Sequence, residues 1–570
     1  MLVVSRRLEQ QFPEANTGRF AMMLPLTEHM QGRLRPALLL LQGAAFMVLL
    51  IACANLANLT LSRTMGRQRE LALRAALGAG RGRLVRQLLT ESLLLSIVGG
   101  ALGIALAVVA TRALLALNPD ALPTMFTVGV DGRAVLFSVL LSVATGVLFG
   151  LLPALGAATP DLNRSLREGG RSSSAGRGSE RVRRTLVVAQ VSLAVMLLVG
   201  AGLLVRSFAE LTSVRLGFDP DRVLTAGLRA VGERYDSSAA VNRFYDGVLF
   251  EIAQSPGVVA VGATGMLPTR GSVSTSVRIE GEPVDETKLP DLRYVSVRGD
   301  YFKAMRIPIL AGREYNASDK ADGPKTVIIN ETAARRFFPK GDALGRRIRI
   351  GPSPNGEPLT IVGIVGDVHN EGLDIPAGPT MFANHRQESW ERSMSVVIRT
   401  SGDPEAAVPI LRRATKAMDP AMALRDIRSL NDVVGSSLAP RRFALGLAAC
   451  FAAVALLLAA VGIYGVLGYS VTTRTREFGV RLALGASSRS VLLLVLRQGL
   501  AWSLVGLALG ISGALAGGRL VAGMLYGVSA IDAWTYASVT IGLLGVVGAA
   551  CLVPASRAMR VDPLTSMRAE

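Results

Sequence analysis

The chain has 570 residues, 50% hydrophobic and 18% charged, with a mean hydropathy of +0.40. Soluble domains carry roughly 25% charged residues, so this composition excludes disorder and argues against a wholly soluble enzyme. The net charge of +19 would suit a nucleic-acid-binding protein, but residues 208–440 hold 29 Lys+Arg and 29 Asp+Glu, and the whole excess lies outside them as arginine beside apolar stretches. That placement follows the positive-inside pattern and leaves no nucleic acid among the expected partners.

In chain order, seven apolar stretches run near 37–62, 92–111, 134–157, 185–205, 443–471, 499–518 and 533–553. Each has about 20 or more residues, enough for a hydrocarbon core of roughly 30 Å. The connection 63–90 carries seven Arg against one Glu, and 158–184 carries seven Arg against three acids. The connection 471–498 carries five Arg against one Glu. These three are expected in the cytoplasm. The short loops 118–133 and 522–532 share one Arg and are expected outside, as are residues 208–440 and 1–36.

The expected fold class is a multi-pass α-helical membrane protein of seven spans with a mixed α/β extracytoplasmic domain. Within the neutral block, strands are expected at Val223–Arg229, Val258–Ala263, Ser274–Ile279, Thr326–Ile329, Arg346–Ile350, Leu359–Val365 and Ser393–Arg399. Helices are expected at Ala239–Ala253, Glu331–Phe338 and Pro404–Ala417. Pieces 223–305 and 390–436 could form one subdomain, with 306–389 inserted as a second.

An internal repeat runs through the membrane half. Arg69-Glu70-Leu71-Ala72-Leu73-Arg74-Ala75-Ala76-Leu77-Gly78-Ala79 recurs 407 residues later as Arg476-Glu477-Phe478-Gly479-Val480-Arg481-Leu482-Ala483-Leu484-Gly485-Ala486. Pro153-Ala154, Asp161, Ser165 and Arg167 recur 401 residues later as Pro554-Ala555, Asp562, Ser566 and Arg568. The domain reading is therefore 1–36 as the remnant of a first extracytoplasmic domain, 37–157 as the first three-helix membrane domain and 158–184 as an Arg-rich linker. Residues 185–207 are the leading span of a second unit, 208–440 its extracytoplasmic domain, and 441–570 its three-helix membrane domain with a cytoplasmic tail. The first unit lacks the span and ectodomain that lead the second, and such a front is expected upstream.

The repeated segment has the pattern of a short amphipathic helix. Glu70/Arg74 and Glu477/Arg481 stand at i,i+4 in the favourable Glu-first order. Leu73/Leu77 and Val480/Leu484 form an apolar stripe, and Gly78 and Gly485 are placed for a C-cap. Such a helix could lie on anionic headgroups of the membrane lipid or dock on a cytoplasmic partner. Its repetition favours docking, through Arg69, Glu70, Arg74, Leu77, Gly78, Arg476, Glu477, Arg481, Leu484 and Gly485.

Catalytic chemistry is not legible in the sequence. It has three histidines, no H-E-x-x-H, no G-x-S-x-G and no G-x-x-x-x-G-K-[ST] loop, so no catalytic residue, metal site or cofactor is expected. Cys53, Cys450 and Cys551 lie in apolar stretches and make no disulfide framework. Asp219/Asp221 and Asp367/His369 could each hold a cation, but ordinary turns are the simpler reading. Gly146/Gly150, Gly506/Gly510 and Gly513/Gly517 have the spacing of close helix packing.

Residues Ala459-Ala460-Val461-Gly462-Ile463-Tyr464-Gly465-Val466, the repeated Arg-Glu helix and Arg560-Val561-Asp562-Pro563-Leu564 together resemble the FtsX-like permease family. Its members are the membrane subunits of MacB-type ABC transporters. The stretches Val327-Ile328-Ile329-Asn330-Glu331 and Ile361-Val362-Gly363-Ile364-Val365-Gly366-Asp367-Val368 are similar to the MacB-like periplasmic core. Two fused units look most like the duplicated orphan permeases without a fused ATPase. The resemblance implies a transport subunit without its own ATP site, in a bacterial inner membrane, working with a cytoplasmic ABC ATPase dimer in trans. It implies export or extraction of an amphiphile, with a periplasmic adaptor or hydrolase as a further partner. Two alternatives belong to other classes: a transmembrane signalling transmitter that regulates an envelope hydrolase or sensor, and an orphan scaffold without ATPase.

Overall fold

The computed structural model describes residues 2–12, 22, 23, 25, 35–66, 81–117, 129–157, 175–282, 289–351, 356–473, 475–484 and 487–559. In chain order its helices are α1 (Leu2–Gln11), α2 (Arg35–Gly66), α3 (Arg81–Leu117), α4 (Gly132–Ala157) and α5 (Ala175–Thr212). Then come α6 (Ser238–Ala253), α7 (Tyr301–Met305), α8 (Glu331–Phe337) and α9 (Val408–Met418). Last are α10 (Leu430–Thr473), α11 (Thr475–Ala483), α12 (Ser488–Ala522) and α13 (Ala533–Met559). The chain divides into two compact units, residues 1–29 with 211–439 and residues 30–210 with 440–570.

The first unit is built on one sheet of 11 strands in the order β11-β1-β10-β2-β4-β3-β7-β8-β6-β9. The strands are β1 (Val223–Arg229), β2 (Val258–Thr264), β3 (Val273–Ile279), β4 (Asp291–Gly299), β5 (Ile309–Gly312) and β6 (Thr326–Asn330). The rest are β7 (Arg347–Ile350), β8 (Pro358–Val365), β9 (Thr380–Asn384), β10 (Ser393–Thr400) and β11 (Arg425–Ser429). Strand β5 pairs with β8, and β9 also pairs in parallel with β4, which closes β4-β3-β7-β8-β6-β9 into a ring.

Residues i and i+2 of a strand share a face. Leu224, Ala226 and Leu228 of β1, with Met394, Val396 and Ile398 of β10, bury one face under α6 and α9. Val223 and Val397 point the other way, into a second core with Phe302, Met305, Ile328 and Phe382. A third core, with Val277, Val327, Ile348, Leu359 and Met381, belongs to strands of the ring. Helix α6 starts where Ser237 accepts a bond from the Ala240 N–H at 3.2 Å. Its inner face carries Val241, Phe244, Tyr245, Val248 and Ile252.

Every strand and helix expected in this block is present within one or two residues of its expected ends, except that α9 starts four residues after the expected Pro404, behind a 3-10 turn at Pro404–Ala407. The division into two subdomains takes a different form. The sheet is continuous, and β3 and β4, whose residues fall within the outer piece 223–305, pair into the ring with β7 and β9.

The second unit is helical. Six described helices are long and apolar enough to cross a membrane: Arg35–Thr60, Val85–Leu114, Arg181–Thr212, Leu430–Thr472, Ser488–Ala522 and Ala533–Ser556. The remaining expected span corresponds to α4, whose apolar stretch is described over Gly132–Leu148. Glycine sets how closely these helices approach. A Cβ on Gly506 would lie 2.8 Å from Val191 Cβ, and one on Gly510 would lie 2.6 Å from Val195 Cβ, so α5 packs directly on α12. A Cβ on Gly146 would lie 2.6 Å from Ser96 Oγ, where α4 meets α3. Gly517 has nothing within 4 Å, so the packing expected of the Gly513/Gly517 step holds only at Gly513, against Met196.

Candidate docking site

Helix α11 carries the second copy of the repeated segment. Thr475 Oγ1 donates to the Val471 and Thr472 carbonyls at 3.1 and 2.8 Å, which ties the start of α11 to the end of α10. Phe478 is the anchor, 2% exposed among Leu467, Val471, Val491, Cys551 and Ala555. The opposite face is open. Arg481 and Glu477 form the i,i+4 ion pair at 2.6 Å, each about half exposed. Val480 is 41% exposed and Leu484 82%. The apolar stripe read from the sequence therefore faces outward, and Phe478, outside that stripe, holds the helix in place.

Arg476 lies in α11, but its side chain is outside the described residues, as is Gly485. The first-copy residues Arg69, Glu70, Arg74, Leu77 and Gly78 also lie outside them.

A buried polar cluster joins the two repeats of this helical unit. The 407-residue offset pairs Ala44 with Phe451, Val48 with Ala455, Ile51 with Leu458 and Asn55 with Gly462. The first six of these residues share one apolar cluster with Leu193, Ala194 and Leu197. Asn55 Nδ2 donates to the Leu458 carbonyl at 2.7 Å, and Gln190 Nε2 donates to Asn55 Oδ1 at 3.0 Å. A Cβ on Gly462 would lie 2.6 Å from Asn55 Oδ1, so glycine in one repeat makes room for asparagine in the other. Sequence reasoning missed this cluster. Its signal is amide side chains inside apolar spans, at a position that is glycine in the second copy.

Farther along the same helices, Arg206 pairs with Asp532 at 2.6 Å. Asp532 also accepts from the Thr535 N–H at 2.9 Å and so caps α13. The Ser207 hydroxyl accepts from the Tyr526 N–H at 2.7 Å.

In the sheet unit, both pairs weighed as cation sites meet protein groups instead. Asp219 faces Arg306 at 2.7 Å and Arg399 at 3.4 Å. Burial pushes Asp219 up, but the Asp221 N–H and the two guanidiniums outweigh it and hold it below the usual carboxylate value. Asp367 accepts from Asn330 Nδ2 at 2.6 Å, Thr332 N at 2.9 Å and Thr332 Oγ1 at 2.6 Å. His369 Nδ1 lies 2.9 Å from the Ile375 carbonyl. Among the described residues no three His, Cys, Asp or Glu side chains are grouped to hold a metal.

The sheet unit also has a half-open cleft of about 500 Å³, lined by Thr275, Tyr294, Lys325, Glu357, Glu388 and Trp390. Tyr294 and Trp390 have ring centroids 5.5 Å apart. Lys325 bridges Glu357 at 2.6 Å and Glu388 at 2.5 Å.

Apolar helices long enough to cross a membrane, carried in one chain with a mixed α/β unit, are the features of a multi-pass membrane protein with an extramembrane domain. The FtsX-like permease C-terminal family matches residues 43–162 and 449–563, and the MacB-like periplasmic core domain family matches 185–414. The chain belongs to the MacB/FtsX type of ABC transporter permease. It is an inner-membrane, multi-pass protein with a periplasmic segment.

Among curated proteins it is 27% identical over 251 residues to the macrolide export ATP-binding/permease protein MacB of Salmonella typhi, covering 42% of this chain and 37% of that protein. It is 25% identical over 288 residues to the uncharacterized ABC transporter permease YknZ of Bacillus subtilis (strain 168), covering 48% of this chain and 69% of that one. The chain thus spans less than half the length of the MacB protein it matches. The periplasmic region of MacB from Actinobacillus actinomycetemcomitans aligns at 13% identity with a TM-score of 0.28, covering 40% of this chain and 97% of that one.

Proposed function

We infer that this chain couples ATP hydrolysis by a separate cytoplasmic ABC ATPase dimer to movement of its periplasmic block, and so exports or extracts an amphiphilic substrate. The observation that carries the reading is the outward face of α11, with Leu484 82% exposed while Phe478 is buried behind it. A helix that only rested on headgroups would turn its apolar side into the lipid and its charges to water. Here the helix is already seated by Phe478, and a second apolar edge with a fixed ion pair is left over. Two copies of the segment suit two subunits of an ATPase dimer, with Arg69, Arg74, Arg476 and Arg481 meeting acidic residues and Leu77 and Leu484 filling apolar pockets. The cleft beside Tyr294 and Trp390 has the size of small-molecule sites and an aromatic wall suited to an amphiphile.

The test is co-purification in detergent with the ABC ATPase encoded nearest the gene. The reading expects two ATPase subunits per chain and hydrolysis stimulated by the complex. An ATPase that neither binds nor responds would leave the scaffold reading, and a bound periplasmic hydrolase switched by ATP would favour the signalling one.

A further inference from the structure

Two asparagines stand one turn apart on α2, and only one of them has partners. Ala44, Val48, Ile51 and Asn55 mark the face of α2 that meets the second repeat, and Asn58 continues that stripe at i+3. Asn55 uses both ends of its amide, donating to the Leu458 carbonyl and accepting from Gln190. Asn58 is 7% exposed, yet neither its Nδ2 nor its Oδ1 has a hydrogen-bond partner among the described residues. Gln190 Oε1 is buried without a partner as well. An orphaned amide inside an apolar helix is costly and calls for a reason. Both polar atoms of Asn58 are already enclosed, so a helix added at the surface of the bundle does not reach them.

The second repeat offers Asn58 a place one turn away. Gly462 makes the room that the Asn55 and Gln190 amides occupy. Movement of α2 toward its own N-terminal end by three residues, about 4.5 Å, brings Asn58 to that glycine. There its Nδ2 reaches the Leu458 carbonyl and its Oδ1 reaches Gln190 Nε2, the two bonds that Asn55 makes in the structure. Asn55 then passes to the level of Ile51 and becomes the spare amide. Each register satisfies one asparagine and strands the other, so the two differ little in hydrogen bonding. The joint is lined by Ala44, Ala194, Ala455 and Ala459, whose side chains end at Cβ and leave little to interlock. On either side of it the helices hold together: α2 and α3 both pack on α4, and α5 packs on α12 through Gly506 and Gly510.

We propose that the two asparagines form a two-position ratchet. Gln190 and the Leu458 carbonyl of the second repeat hold either Asn55 or Asn58, and the first repeat steps along the second by one turn between the two registers. One-turn steps occur where packed interfaces are bistable rather than continuously deformable. The structure shows the Asn55 register. The proposal rests on packing within the helical unit and not on the ATPase reading, and either can fail without the other.

The test is double electron–electron resonance on the purified protein in lipid nanodiscs, with Cys53, Cys450 and Cys551 replaced by alanine. Spin labels at Leu38→Cys and Leu552→Cys sit on exposed positions, one near the N-terminal end of α2 and one near the C-terminal end of α13. A slide of α2 along its axis therefore changes their separation. Labels at Leu106→Cys and Leu136→Cys, both within the first repeat, report that the variants are folded. Asn55→Ala removes the occupied station without adding bulk. At least half of the Leu38–Leu552 pairs should then lengthen by about 3–5 Å, with Leu106–Leu136 unchanged. Adding Asn58→Ala should abolish the longer distance, because no amide is left to hold the second register. If Asn55→Ala fails the fold control, Asn55→Ser takes its place with the same expected result. A Leu38–Leu552 distance that does not move when Asn55 is replaced, or a longer one that persists with Asn58→Ala, overturns the proposal.

Discussion

Gly462→Ala sets a methyl group against the amides that join the two repeats. The new Cβ would lie 2.6 Å from Asn55 Oδ1 and closer still to Gln190 Oε1. Both side chains are buried, Gln190 completely, so neither can swing into open space. The clash is relieved either by breaking the Gln190–Asn55 bond, about 0.6–1.7 kcal/mol for such bonds in membranes, or by parting the helices, about 1–3 kcal/mol for an overpacked core. Alanine also gains up to about 1 kcal/mol over glycine in a helix. The matched control is Gly465→Ala on the same helix, where an added Cβ has nothing within 4 Å. Equilibrium unfolding in mixed micelles should find Gly462→Ala about 1–3 kcal/mol less stable than Gly465→Ala. Adding Asn55→Ala should recover part of the difference. Equal stability of the two alanine variants would refute the packing argument.

Burial pushes His385 down to about 4, against the pull of the Glu391 carbonyl that accepts from its ring. The unfolded chain therefore binds the proton first, and stability present above about pH 6.5 is lost as pH falls toward 4, by at most about 3 kcal/mol. Amide exchange in β9 and β10, corrected for intrinsic rates, should show less protection at pH 5 than at pH 7, and unchanged protection would contradict this. For topology, Ser401→Cys should react with an impermeant thiol reagent on intact cells, whereas Ser172→Cys should react only after permeabilisation. Reaction of Ser172→Cys from outside would reverse the orientation.

The sheet elements legible in the sequence were those with a clear edge signal. Val258–Thr264 follows Pro256-Gly257, and Glu331–Phe337 follows the capping Asn330. Strand β4 was missed because Leu292 and Tyr294 through Arg298 are all buried, so alternation vanishes, and an arginine sits in the run. Arg298 is tolerated there because Asp246, Asn242 and His385 surround its guanidinium. Strand β9 has five buried residues and no polar face to mark it. The short edge strand β11 reads as a charged turn.

In the membrane half, hydropathy locates apolar helices but not their partners. The sequence shows that Asn55 and Gln190 are polar, but only packing shows that they meet across the repeat. Likewise the Glu477/Arg481 pair follows from spacing, while the anchoring role of Phe478 depends on the helices that surround it.

The central claim is that the repeated helices transmit the ATPase's motion. Leu484 is exposed, so Leu484→Asp should change stability by no more than about 0.5 kcal/mol. Phe478→Ala, by contrast, opens a core and should cost about 3–5 kcal/mol. The decisive measurement is stimulated ATP hydrolysis by the reconstituted complex carrying Leu77→Asp and Leu484→Asp. The account predicts normal membrane insertion with binding and stimulation lost. Binding and stimulation that survive both substitutions would leave these helices as headgroup contacts and contradict the account.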